Sequence, residues 1–209
     1  MTAASASSTS IAPLQLDRIV RCRPDGSREA LDSYWGLIPS WAKDRTGAGR
    51  LINARAESLM ATASFRPLVP RNRCIIPATT FYEWAQTPTG RRPIVIRRQD
   101  GRGLALAGLW TTWTDPETRQ TVTSHVIITC EPNAVMRPYH HRMPVVLDGD
   151  ALDRWLDPTV RDPAAVLPLL VPCADHLLIA NDPAAGRTPQ LPASGQLALS
   201  LDGDTAART

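Results

Sequence analysis

The sequence predicts an α+β fold: a single domain on a curved, mostly antiparallel, barrel-like β-sheet with short helices around it. Three observations carry this. Four runs rich in β-branched and aromatic residues, CIIPATTFYEW (74–84), PIVIRR (93–98), LALAGLWTTW (104–113) and TVTSHVIITC (121–130), read as strands. The segments between them hold the Pro, Gly and Asp of turns. Nineteen prolines among 209 residues forbid long helices.

Taken in order, residues 1–9 are small and polar and are expected to form a disordered tail, the domain to span 10–192, and the poor core formers of 193–209 to form a second tail. LINARAES (51–58) follows a basic, glycine-containing loop, and in an extended segment Asn53 and Arg55 share a face. FYEW (81–84) closes the first strand run with Glu83 among aromatics. PYHHRMPVV (138–146) sets His140 beside His141, and if that segment is extended the two rings point to opposite faces. Asp148 or Asp150 is placed to cap a short helix whose Leu152, Trp155 and Leu156 share a face. Asp162-Pro163 reads as an N-cap followed by an N1 proline before AAVLPLL.

Composition excludes several classes. Apolar residues make up 43% and charged residues 21%, the balance of a globular chain with one core, and no run reaches the length that spans a bilayer. The start, MTAASASSTS, lacks a basic and apolar leader, so a cytoplasmic protein with no membrane partner is expected. Cys22, Cys74, Cys130 and Cys173 are scattered, which predicts four free thiols and no structural metal. No cofactor is expected, because nucleophile-elbow, P-loop and dinucleotide glycine patterns are all absent.

The net charge of +3 hides an uneven distribution: residues 43–102 carry twelve basic and four acidic side chains. That segment suits a polyanion, with Trp35 and Trp41 at hand for stacking. Only one of the 23 basic residues is lysine, so base composition of the coding sequence is an alternative source of the arginines.

Candidate chemistry gathers on a few residues. An amide and a guanidinium at Asn53 and Arg55 can bind a phosphate or sugar together, or serve as a cap and a surface ion pair. Glu83, if buried among its aromatic neighbours, is suited to proton transfer near neutral pH; the alternative is an edge-strand carboxylate facing water. With an imidazole from His140 or His141, the set fits an oxygen-bearing, anionic substrate, and a metal site is the rival reading.

The succession SIAPLQ (10–15), YWGLIPSWAKD (34–44), LINARAES, FRPL (65–68), RCIIPATTFYEW (73–84), LAGLW (106–110), IITCEPN (127–133) and HHRMPVVL (140–147) resembles the SOS response-associated peptidase family, the abasic-site processing proteins. The resemblance implies one α+β domain that binds single-stranded DNA, or DNA junctions, at abasic sites as a monomer, nucleoid-associated when on DNA. It implies autoproteolytic removal of the first Met and a thiazolidine cross-link from an N-terminal Cys to the opened sugar. Carried over by motif, Asn53 orients the terminus and sugar, Glu83 moves protons, and His140 polarises the sugar oxygen. Arg55 and Arg142 clamp phosphates, Thr129 hydrogen-bonds the DNA backbone, and Trp41 stacks on a base. Family members begin Met-Cys-Gly-Arg, whereas this sequence begins Met-Thr-Ala-Ala. The expectation is therefore that the family's N-terminal element is missing, through a start lying upstream, or that the chain is a non-catalytic single-stranded DNA-binding paralogue that shields damage.

Overall fold

The computed structural model describes residues 10–87, 90–181 and 196–197; the expected tail 1–9 lies outside them, as does 193–209 apart from Gln196–Leu197. Twelve strands run in chain order: β1 (Ser10–Ile11), β2 (Leu16–Cys22), β3 (Arg28–Trp35), β4 (Asn53–Arg55), β5 (Arg73–Ala78), β6 (Thr80–Thr87), β7 (Gly90–Arg98), β8 (Leu104–Thr114), β9 (Thr121–Cys130), β10 (Met143–Pro144), β11 (Leu178–Asn181) and β12 (Gln196–Leu197). Two short helices, α1 (Gly149–Leu156) and α2 (Pro163–Val166), lie between β10 and β11. This is the expected α+β class with mostly antiparallel pairing.

The strands form two sheets. In the larger one β2 pairs antiparallel with β3 and β5, β5 with β8, and β8 with β9. A parallel pairing of β9 with β3, Tyr34 to Ser124 and Trp35 to His125, closes these five strands into a ring. The smaller sheet has the order β1, β12, β6, β7, β11.

The run 74–84, read from sequence as one strand, is two: it bends at Thr79, and β5 joins the ring while β6 joins the other sheet. The β2–β3 hairpin was not among the expected strands, although Pro24-Asp25-Gly26 is a turn signal. Gly26 takes φ +84, and the Asp25 carboxylate accepts from Ser27 N at 2.9 Å and Ser27 Oγ at 2.7 Å. At Gly108 the strands approach so closely that a Cβ would meet Val126 O at 2.8 Å, and only glycine fits there.

The core is contiguous and includes Ile19, Trp35, Leu37, Phe81, Leu106 and Trp155, all fully buried. Each buried indole needs an acceptor: Trp35 Nε1 donates to Ile52 O at 3.0 Å, and Trp155 Nε1 to Cys74 O at 2.9 Å. Trp35 is thus a core residue and is closed to any base.

The α1 helix seats Trp155 and Leu156 in that core as expected. Asp148 takes its N-cap position without a side-chain cap bond, because its carboxylate accepts from Arg98 Nη2 at 3.1 Å instead. At α2 the Asp162 carboxylate does accept, from Ala164 N at 2.9 Å, with Pro163 following. All four cysteines are free thiols.

Candidate functional site

The last residues of β9 organise the site. On one edge β4 runs parallel to it, with Asn53 opposite Ile127, Ala54 opposite Ile128 and Arg55 opposite Thr129. On the other edge β10 sets Met143 against Cys130 and Pro144 against Thr129. Strand alternation buries Ala54 and leaves Asn53 half-buried and Arg55 exposed, both on the opposite face.

Arg142, just before β10, crosses to this end. Its guanidinium grips the Glu57 carboxylate with both arms, at 3.0 and 2.8 Å, and Nη2 donates to Thr129 O at 2.7 Å. Partial burial, the largest single influence, raises the Glu57 pKa, but the Arg142 hydrogen bonds and charge, the Glu57 backbone N–H and the Arg55 charge together hold that carboxyl below its usual range. Thr129 is 3% exposed, and its hydroxyl also faces Arg142, at 3.4 Å. Thr129 therefore has a protein partner already, and it fixes Arg142.

His140 ends a series of turns from 134 to 139. The extended conformation assumed for the histidine pair does not form: His140 N and Tyr139 N both bond back to Met136 O, so the chain coils. The two imidazoles consequently lie together, with centroids 4.3 Å apart, instead of pointing to opposite faces. His140 Nδ1 lies 2.9 Å from Arg142 N, in position to accept its N–H, so the Arg142 backbone holds the ring. Arg142 O lies 3.1 Å from the same nitrogen.

Asn133, unassigned from sequence although it lies in IITCEPN, holds this loop. It is 6% exposed; Oδ1 accepts from Met136 N at 3.1 Å, N donates to Met143 Sδ at 3.2 Å, and Nδ2 donates to Cys173 O at 3.2 Å.

Glu83 belongs to the smaller sheet, in β6 opposite Ile94. It is 2% exposed, on the face of β6 that also buries Phe81 and Ala85, and Oε1 accepts from Trp84 N at 3.1 Å. The buried reading of this carboxylate holds, and the solvent-facing alternative does not. Trp84, on the opposite face and 46% exposed, lines a cleft of about 560 Å³ together with Arg91, Glu131, Arg137, His140 and His141.

The described geometry thus brings Asn53, Arg55, Thr129, His140 and Arg142 to one end of β9. Glu83 lies one residue from a wall of the same cleft. Trp41 is 60% exposed but is set apart: its neighbour Ala42 accepts from Trp113 Nε1 at 2.7 Å, and Trp113 is registered with Val122. Val122 is seven residues from Thr129 along β9, roughly 20 Å in an extended strand. Trp84 is the exposed indole that lines the cleft, and its place beside Glu83 in FYEW was the available signal.

The basic segment 43–102 is also divided in purpose. Arg73 and Arg98 are buried and serve the fold, while Arg91 faces the cleft. Among the described residues no three His, Cys, Asp or Glu side chains form a metal-binding group, and no helix is long and apolar enough to cross a membrane.

Fold and site together define an α+β domain with a cationic, histidine-bearing cleft at the end of a ring strand. The chain belongs to the SOS response associated peptidase (SRAP) family, whose model matches residues 2–182. It is 41% identical over 167 residues to the abasic site processing protein YoqW of Bacillus subtilis, covering 79% of this chain and 73% of that protein. It is 31% identical over 153 residues to the abasic site processing protein HMCES of Gallus gallus, covering 62% of this chain and 46% of that one. Among solved structures it is similar to a protein from Bacteroides thetaiotaomicron, with TM-score 0.74, 26% identity and coverage of 86% of this chain and 80% of that one. A protein from Bordetella bronchiseptica is similar with TM-score 0.68 and 26% identity, at 80% and 83% coverage.

Proposed function

We propose that this protein processes abasic sites in DNA, holding a single strand or a junction along the cleft beside β9. Its relatives are named abasic site processing proteins, and the cleft has the parts such a substrate needs. The observation that carries the reading is His140, held through Nδ1 by the backbone of Arg142 and packed on His141 in a cleft with two further arginines.

In this reading Arg91 and Arg137 take the phosphates flanking the missing base, Trp84 stacks on a neighbouring base, and Arg55 extends the cationic track. His140 donates from Nε2 to the oxygen of the ring-opened sugar while Nδ1 stays on the Arg142 backbone. Glu83, desolvated in β6, takes and returns a proton. Asn53 orients the attacking amine and the sugar. Arg142 reaches a phosphate by exchanging Glu57 for it; until then it positions His140.

The cross-linking step belongs to the chain terminus. A neutral α-amine adds to the sugar aldehyde and, with loss of water, forms an imine; a neighbouring thiol then adds to the imine carbon and closes a thiazolidine. The test incubates abasic single-stranded DNA with two proteins, one beginning Met-Thr-Ala-Ala and one beginning Met-Cys-Gly-Arg, and reads denaturing gels. The expected result is salt-sensitive binding by both and a stable adduct only from the second. His140→Ala should slow that adduct by about 10²-fold or more. Equal binding of abasic and intact strands by both proteins, with no adduct from either, would overturn the reading.

A further inference from the structure

A second pocket, of about 480 Å³, shares no lining residue with the cleft. Its walls are the end of β2 with the hairpin turn, Trp110 of β8, Arg71, and the connection from α1 to α2 at Pro158, Thr159 and Arg161. We propose that it binds a nucleotide, taking the phosphate with Arg71 and Arg161 and the base on the Trp110 and Arg21 stack.

Three features of the pocket support this. The first is charge. Arg21, Arg23, Arg71 and Arg161 all line it. Glu29 pairs with two of them, Arg21 at 2.6 Å and Arg23 at 2.6 Å. Asp157, at the edge, turns its carboxylate onto Thr159, with N at 2.8 Å and Oγ at 2.7 Å. Among the described residues neither Arg71 nor Arg161 forms an ion pair, so two guanidinium forks remain for an anion, and bidentate recognition of phosphate is what that fork does best.

The second is the flat surface. The Arg21 guanidinium lies over the Trp110 ring at 4.1 Å from its centroid, anchored by Glu29. A planar cation on an indole presents a face on which a base can stack, and Pro24 and Pro158 give the pocket apolar sides.

The third is rigidity. Arg73, buried behind the wall, donates to Trp155 O at 2.5 Å, Val69 O at 2.8 Å, Asp157 O at 2.6 Å and Val160 O at 2.8 Å. It ties the turn that carries Pro158, Thr159 and Arg161 to the start of β5. The hairpin wall is fixed in turn by the Asp25 bonds to Ser27 and by Cys22 Sγ donating to Gly26 O at 3.1 Å. The pocket exists before its ligand arrives, and its volume falls within the roughly 300–1,000 Å³ of small-molecule sites.

This inference goes beyond the abasic-site reading and does not depend on it. The nucleotide has two sources, a free mononucleotide or one unit of a strand that also occupies the cleft. Titration calorimetry with dAMP, with inorganic phosphate and with an intact 30-nucleotide single strand separates them, using the full chain and the Arg71→Gln/Arg161→Gln variant. Both positions are exposed, so the variant should keep the melting temperature of the parent. Saturable dAMP binding, weakened tenfold or more in the variant, identifies a free-nucleotide site. If dAMP does not bind but the strand loses tenfold in affinity, with a salt slope lower by about two, the site holds a unit of a strand. Unchanged affinities for both overturn the proposal. Phosphate binding as tightly as dAMP overturns the role of the stack.

Discussion

The interior of the ring and the cleft at the end of β9 treat the same side chains in opposite ways. Inside the ring, Ser33, Ser124 and His125 are fully buried and Asp17 is 7% exposed. His125 Nδ1 meets Ser33 Oγ at 3.0 Å, Trp35 stacks over its ring, and Ser124 Oγ accepts from Ile38 N at 2.9 Å. Burial pushes Asp17 up to about 6 and His125 down to about 3, so at neutral pH the histidine carries no charge. In the cleft His140 is half-buried, is held by the Arg142 backbone, and has arginines for neighbours. The lesson is that the polar groups sealed inside the ring shape the fold, whereas the half-exposed ones at the cleft are presented to a substrate.

The largest expected effect tests the ring side of that contrast. Arg73→Leu leaves four carbonyls, two of them buried and two half-buried, without their donor and should cost about 3–5 kcal/mol in urea unfolding. Arg142→Leu, beside the cleft, loses an ion pair to the half-exposed Glu57 and should cost about 1 kcal/mol while weakening DNA binding. Equal losses at the two positions would erase the distinction.

Next in size is the pH response of the ring interior. Asp17 has a folded pKa above its unfolded value, so its stabilisation is complete below about 4 and is lost as pH rises through about 6. His125 is depressed, so its stabilisation is present above 6.5 and is lost as pH falls toward about 3. The two oppose between about pH 4 and 6, where stability should be nearly flat, before falling below 4. Asp17→Asn removes one side: it should add about 2–3 kcal/mol at pH 7, and stability should then decline continuously from pH 6.5 to 3, at about 1.4 kcal/mol per pH unit. Chemical denaturation at unit pH steps reads this directly, and a flat variant profile would refute the assignment.

The smallest effect sharpens the cleft side. Glu57→Gln removes the charge that competes with phosphate for Arg142, and fluorescence anisotropy should find single-stranded DNA bound about 3–10 times tighter. Weaker binding would mean that Glu57 serves by holding Arg142 in place.

Much of this was legible along the chain. The β-branched runs of β7, β8 and β9 declare strands, and Asp162-Pro163 declares a helix start, because those preferences lie within a few residues. Asn53 and Arg55 sharing a face follows from the period of a strand. The break at Thr79 was not legible, since both flanks are equally strand-forming and only distant partners assign them to different sheets. Trp35, Trp41 and Trp84 are the same residue by composition; one is sealed by the ring, one stands at the far end of β9, and one lines the cleft.

By itself the sequence determined the α+β class, the strands of the central runs, the free thiols and the family motifs, because each rests on local sterics, spacing or composition. Tertiary structure alone decided which histidine is sealed and which is presented, and which arginines serve the fold. The reason is distance along the chain. Ser33 and His125, 92 positions apart, meet only when β3 and β9 close the ring, and no local pattern records that meeting.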